Sequence, residues 1–248
     1  MRPHVRFAAP QGETHKNGLV RLSYSDMEER LEGLSKQNTE QYLRDVVEIF
    51  AARLVHYWPE DGQFDQDIVS NVRENWVLTF LSYSEKTLVE AGILDKYRFS
   101  RIERQNWQDI TKKGVGLCSQ VSLAAADFLV EQGFKVNMIG LDGHVVAMVS
   151  EGAEQYLLDV DMNVLLPFGL DYAENNPDGV IEAYTLVGHS KEYSKKIATI
   201  YSPEGNFLSS ADSYYPTVSI LFTFLNISVW FFPLSILIFG FIVLYYRK

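Results

Sequence analysis

The stretch Gly114–Val160, GVGLCSQVSLAAADFLVEQGFKVNMIGLDGHVVAMVSEGAEQYLLDV, decides the fold. It opens on the glycine-rich segment Lys112-Lys113-Gly114-Val115-Gly116. An Ala- and Leu-rich run from Ser119 to Gln132 follows and is ended by Gly133, which predicts one helix with a glycine C-cap. Phe134 to Leu141 is apolar and β-branched and meets Asp142-Gly143, a strong two-residue hairpin signal. His144 to Val149 is the second predicted strand. After the turn Glu151-Gly152-Ala153, Gln155 to Val160 is the third. One helix followed by an antiparallel meander is an α+β pattern rather than a βαβ one.

Working outward, the N-terminal half reads as helices. Residues 1–22 show no periodicity and are expected to form a loose arm. From Ser23 to Tyr57 two helices are predicted, the first capped by Ser25 and the second by Asn38 or Thr39. In the second, Leu43, Val46, Val47, Phe50, Leu54 and Tyr57 recur at three- and four-residue spacing and make one apolar stripe. Trp58-Pro59 is the expected stop and Glu60 to Gln66 a loop, with further helices over Asp67–Leu81 and Glu85–Leu94. Downstream of the strands, Gly188 to Ser202 is expected to be a polar helix. The resulting layout is an arm over 1–22, a globular domain over 23–205, a linker over 206–216, an apolar helix over 217–246 and a basic end at 247–248.

The apolar tail is a second clear feature. No charged residue lies between Val218 and Tyr246, a run longer than the roughly 20 residues that span a hydrocarbon core. Tyr214-Tyr215 and Tyr245-Tyr246 flank it as interfacial aromatics do, and Pro233 predicts a kink. The expectation is a single-pass membrane protein with the lipid bilayer as a partner. Arg247 and Lys248 favour a cytoplasmic C-terminus. The N-terminus lacks the apolar stretch of an export signal, which favours a cytoplasmic head; the side is left open with a lean to the cytoplasm.

Composition excludes other classes. A formal charge of −10 without a basic stripe argues against nucleic acid as a partner, and Lys112-Lys113 and Lys195-Lys196 read as solvated faces. The single cysteine, Cys118, permits neither an internal disulfide nor a Cys-rich zinc cage. Gly114-Val-Gly116 is only half a dinucleotide loop, and Asp61, Asp65 and Asp67 lack calcium-loop spacing. No cofactor and no metal are therefore expected. His56 and His189 read as packing and surface residues.

The residues that carry chemistry are Cys118, His144 and Asp159. Cys118 falls where the glycine-rich loop becomes a helix, whose amides and positive end favour a thiolate. His144 begins the strand after the tight turn, and Asp159 lies on the next strand. If Glu151-Gly152 is the turn, His144 stands opposite Asp159 on the same face, about 5 Å apart at Cβ. A slip of one residue would separate them. Asp161 shares that face and is an alternative acid.

Gly116-Leu-Cys118, the following helix, Gly133-Phe-Lys-Val, Gly143-His144-Val-Val and Tyr156-Leu-Leu-Asp159 together resemble the core of the transglutaminase-like superfamily. The resemblance covers about Gly114 to Pro167. It implies a papain-like triad with Cys118 as nucleophile, His144 as general base and acid, and Asp159 as the orienting acid. The chain departs from the pattern at Val146, where an aromatic residue often stands, and at Ser119 after the cysteine. The backbone N–H of Cys118 is a candidate oxyanion donor, with Gln105 and Trp107 as further candidates. The expected function is a membrane-anchored cysteine acyl-transfer enzyme, a peptide or amide hydrolase acting on a peptide or protein substrate. The alternatives are an amine transferase of the transglutaminase type and a catalytically inactive binding module of the same fold.

Overall fold

The structure, a computed structural model, describes residues 21–56, 72–99, 106–203, 205–211 and 216–246. The N-terminal arm up to residue 20, the Trp58-Pro59 stop, the loop over 60–66 and the ends of the chain at 247–248 lie outside them. The chain forms two compact units, Met1–Trp58 with Arg104–Tyr214 and Pro59–Glu103 with Tyr215–Lys248. The domain expected over 23–205 is thereby divided, with 59–103 belonging to the second unit.

In the first unit, α1 (Tyr24–Glu32) is capped by Ser23 in a reciprocal box with Asp26, two residues before the cap expected at Ser25. Helix α2 (Thr39–Arg53) is capped by Asn38, whose side-chain oxygen accepts from the Gln41 amide at 2.9 Å. Its stripe Leu43, Val46, Val47 and Phe50 is buried. The helix ends at Arg53 because Leu54 turns extended and Val55–His56, strand β1, pairs in parallel with Val115–Gly116, strand β2. Between them in the first unit lies α4 (Trp107–Lys113), a short helix the sequence pattern did not reveal, capped by Asn106 and closed by Gly114 at φ 76°. The expected central helix is α5 (Cys118–Glu131).

Strands β3 (Lys135–Leu141), β4 (His144–Glu151), β5 (Glu154–Asp159), β6 (Val164–Leu166) and β7 (Phe207–Ser210) form one antiparallel sheet in the order β6-β5-β4-β3-β7. The α+β reading thus holds for this unit, although β6 and β7 were not anticipated and β7 occupies the expected linker over 206–216. Side chains alternate across the sheet. Ile139, Val146, Met148, Leu157 and Val164 share a buried cluster with Ala173, Val180, Tyr184, Ile197 and Tyr201. Those partners come from α6 (Leu170–Asn175), α7 (Pro177–Leu186), α8 (Lys191–Ile200) and the residue that caps α8. Helix α8 is therefore amphipathic rather than polar: Ser194, Ile197, Ala198 and Ile200 are buried. Met138, Ala147 and Val149 on the opposite face are also buried, against α5, where Ala124, Ala125 and Ala126 permit close approach, and Leu158 is buried on the same face.

The second unit contains α3 (Val72–Glu90) and α9 (Pro216–Tyr246). Helix α3 runs through both helices expected over 67–94 and is broken at Asn75, which has φ −155° and ψ 94°. The Asn75 side-chain oxygen accepts from the Leu78 amide, restarting the helix, while its amide donates to Asn226 Oδ1 at 2.9 Å. The Trp76 indole donates to the Val229 carbonyl.

Taken over the described residues, no helix is long and apolar enough to cross a membrane. The expected transmembrane helix over 217–246 is corrected on that finding, and with it the single-pass membrane localisation. The charge-free run does become a helix, α9. Its middle is engaged by α3 of the same chain: Asn226 bonds Asn75, Leu225 is buried and the Val229 carbonyl accepts from Trp76. Ile220, Phe224, Trp230 and Phe239 of the same helix are exposed.

Candidate active site

The loop that delivers Cys118 is fixed from behind. Arg53, at the end of α2, donates through Nε to the Thr111 carbonyl at 2.8 Å and through Nη2 to the Lys112 carbonyl at 3.1 Å. These are terminal carbonyls of α4, where a cation is favoured. Gly114 takes a left-handed φ directly against that guanidinium; a Cβ there would lie 2.9 Å from Arg53 Nη2. The chain then pairs with β1 through Val115 and Gly116, and Leu117 serves as an extended N-cap with φ −71° and ψ 167°. Leu117 supplies no side-chain hydrogen bond and the first turn holds no acidic residue. Cys118 is thus the first residue of α5, one earlier than expected, at a helix end whose amides no side chain caps.

His144 and Asp159 meet through a register different from the expected one. The β3–β4 hairpin closes with Leu141 opposite His144 around Asp142-Gly143, as the sequence predicts. The next turn is Gly152-Ala153, with Glu151 opposite Glu154, so the β4–β5 ladder is shifted by two residues. A shift of two keeps both residues on one face. The pair is then diagonal rather than directly opposed, and the long imidazole covers the added distance: His144 Nε2 lies 2.9 Å from Asp159 Oδ2. With Nε2 donating to the carboxylate, the other ring nitrogen is left for Cys118, which lies near enough to His144 to help raise its pKa. Ser122, one turn along α5, donates to the Val145 carbonyl at 2.7 Å and ties the helix to the strand beside His144.

Asp159 is completely buried and accepts from three directions. His144 and the Tyr184 hydroxyl share Oδ2, and the Met162 amide donates to Oδ1 at 3.1 Å. Behind Tyr184 stands Tyr201, hydroxyl to hydroxyl at 3.1 Å. Burial raises both phenol pKa values, and the Asp159 charge raises them further, so each remains a neutral donor. For His144, burial by itself would lower the pKa. The charge and hydrogen bond of Asp159, joined by Cys118, outweigh it and hold the imidazole well above its ordinary value. The arrangement favours an imidazolium lying between a carboxylate and a sulfur atom.

The three predicted residues are therefore brought together and are all buried: Cys118 is 7% exposed and His144 6%. Asp161 does not replace Asp159; its carboxylate bonds His56 Nδ1. His189 is not a plain surface residue, since its Nε2 is 2.9 Å from the Met162 carbonyl in the turn after Asp159. Trp107 is excluded as an oxyanion donor, because its indole N–H is engaged by Glu131 at 2.9 Å near the far end of α5. Gln105 lies outside the described residues. Tyr184, Tyr201 and the His56–Asp161 pair were missed; only the Asp-x-Asp spacing of Asp159 and Asp161 hinted at a second acid. A separate cavity of about 370 Å³, lined by residues such as Glu40, Glu154, Tyr156 and Phe168, includes none of the three.

Comparison with known protein families, with characterised proteins and with solved structures finds no match to this chain. What the fold and the site define is an α+β unit in which a helix-end cysteine lies beside a strand histidine that is hydrogen-bonded to a buried aspartate.

Proposed function

We propose that this protein is a cysteine-dependent acyl-transfer enzyme, a peptide or amide hydrolase of the transglutaminase-like type. The observation that carries the reading is the series Cys118–His144–Asp159, with His144 Nε2 at 2.9 Å from a buried carboxylate and its imidazolium favoured. In the first step His144 takes the Cys118 proton and the sulfur attacks a carbonyl carbon. Negative charge then develops on the carbonyl oxygen next to the uncapped start of α5, where the Cys118 N–H is the nearest backbone donor to the reacting sulfur. His144 returns the proton to the departing amine, a thioester remains on Cys118, and water releases the acyl group. Asp159 holds the ring orientation and stabilises its cation without accepting the proton itself.

The test is the pH dependence of Cys118 alkylation by iodoacetamide between about pH 5 and 9. The expected outcome is alkylation that depends on His144, so that His144→Ala slows it across the range. A rate that follows an unperturbed thiol, near pH 8.5, in both proteins would sink the proposal. The slight exposure of Cys118 favours a second reading, a binding module that keeps the fold without turnover. That module would keep its thiol inert across the same pH range.

A further inference from the structure

The acid beside His144 is held from behind. Side chains alternate along the strands, so His144 shares its sheet face with Val146 and Met148, and Asp159 shares its face with Leu157. That face packs on α6, α7 and α8, which bring a pair of phenols to it. The Tyr184 hydroxyl donates to Asp159 Oδ2, the oxygen that also accepts from His144 Nε2 at 2.9 Å. The Tyr201 hydroxyl stands behind it, 3.1 Å from that of Tyr184. A phenol carries one proton. Tyr184 places its proton on the bond to Asp159, so the bond behind it runs from Tyr201 to Tyr184. Both tyrosines are fully buried, where an unpartnered hydroxyl is costly. Phenylalanine would fill either place; the hydroxyls add the bond to Asp159 and the bond that supports it.

Two donors on one oxygen compete. Tyr184 draws the charge of Oδ2 toward its own hydroxyl, and the bond from Tyr201 polarises that hydroxyl further. Less of the Asp159 charge then acts on the imidazolium. The other oxygen is fixed by the Met162 amide at 3.1 Å, so His144 meets the oxygen that Tyr184 also holds. Further ionisable groups surround the series. Tyr193 on α8 is under the charges of Asp159 and Asp161, Asp161 bonds His56, and the His189 ring lies 5.6 Å from that of Tyr184. All of them are present in a variant that lacks only the Tyr184 or Tyr201 hydroxyl.

We propose that Tyr184, backed by Tyr201, is a positioning residue of the thiol site: it holds Asp159 Oδ2 against His144 and divides the Asp159 charge between ring and phenol, so that His144 both takes and returns a proton. This rests on the acyl-transfer reading and deepens it. Asp159 and Cys118 already favour the imidazolium. A ring facing the undivided charge would keep its proton when deacylation needs it neutral. In that step His144 takes a proton from water as the oxygen attacks the thioester carbon. The carbon–sulfur bond then breaks and the proton passes to the Cys118 sulfur, with one water consumed.

The experiment is NMR titration of the His144 Cε1 proton in the full chain, as wild type, Tyr184→Phe and Tyr201→Phe. Tyr184→Phe should titrate about 0.5–1 pH unit higher than wild type, a fraction of what one hydrogen bond to a charged group is worth. Tyr201→Phe, which keeps Tyr184 on Asp159, should shift the same way by less. With p-nitrophenyl acetate as substrate and Cys118→Ala as background, the acid limb of steady turnover should move to higher pH by the same amount. A folded Tyr184→Phe protein whose His144 titrates with the wild type, or lower, overturns the proposal. So does a loss of stability with an unmoved acid limb, the mark of a purely structural role. If Tyr184→Phe does not fold, an unshifted titration in Tyr201→Phe overturns it instead. Wild-type chain that never acylates at Cys118 removes the acyl-transfer reading, while the titrations still decide the hold of Tyr184 on His144.

Discussion

Replacing Asp159 by Asn removes one charge and almost no volume, and the effect falls first on His144. In the wild type the ring's pKa is held above its unfolded value, near 6.5, because Asp159 and Cys118 outweigh the effect of burial. A group raised in this way contributes stability that is fully present below the unfolded pKa and is lost as pH rises through the folded one. Between those two values wild-type stability should fall by up to about 1.4 kcal/mol per pH unit. In Asp159→Asn the carboxylate charge is gone and burial, the largest influence on this ring, prevails. The folded pKa then drops below the unfolded one, and stability is lost as pH falls rather than as it rises. The penalty relative to wild type is greatest at low pH, about 3–5 kcal/mol for a buried pair deprived of one partner, and shrinks toward alkaline pH. Urea unfolding between about pH 5.5 and 8.5, with NMR titration of the His144 Cε1 proton, measures both quantities. Parallel stability curves for the two proteins, or a wild-type ring titrating at its ordinary value, would refute the reasoning.

Three further outcomes are expected. Tyr184→Phe should destabilise the protein by about 2–4 kcal/mol, because a donor to a buried carboxylate is lost and Tyr201 loses its hydroxyl partner; in a double-mutant cycle with Tyr201→Phe the effects should be less than additive when followed by chemical denaturation. Gly114→Ala should cost about 1–2 kcal/mol for the left-handed backbone alone and more for the clash with Arg53, and it should slow Cys118 alkylation as the delivering loop shifts. Ser122→Ala should cost about 1 kcal/mol in denaturant midpoint by freeing the Val145 carbonyl, with thermal unfolding as an independent check.

Much of the first unit was legible because its decisive steps are local. Asp142-Gly143 closes its hairpin where expected, since a glycine free to take φ 79° sits between two apolar strands. Asn38 caps α2 and the stripe behind it is buried. Helix α7 was not anticipated, although Asn176-Pro177, its cap and first residue, is an equally local signal. Strand β7 carries no such signal: four residues with little alternation become a strand only because the exposed edge of β3 is there to pair with.

The sequence by itself determined which residues are candidates to carry chemistry: one cysteine, placed after glycines at a helix start, followed by a histidine and an aspartate on successive strands. Those are matters of residue type, turn signal and period, which a chain carries along its length. Which atoms meet was decided by tertiary structure. The β4–β5 turn moved by one residue and the pairing register by two, and the site survived because the strand period is two. Tyr184 reaches Asp159 from α7, 25 residues away in sequence, with Tyr201 at the end of α8 behind it, and His56 reaches Asp161 across 105. The same holds for the charge-free run at the C-terminal end. Its apolar composition dictated a helix, while its contact with α3 arises from Asn75 and Trp76, 151 and 153 residues before their partners. Burial and long-range hydrogen bonding act on neighbours in space, and only the folded chain specifies those neighbours.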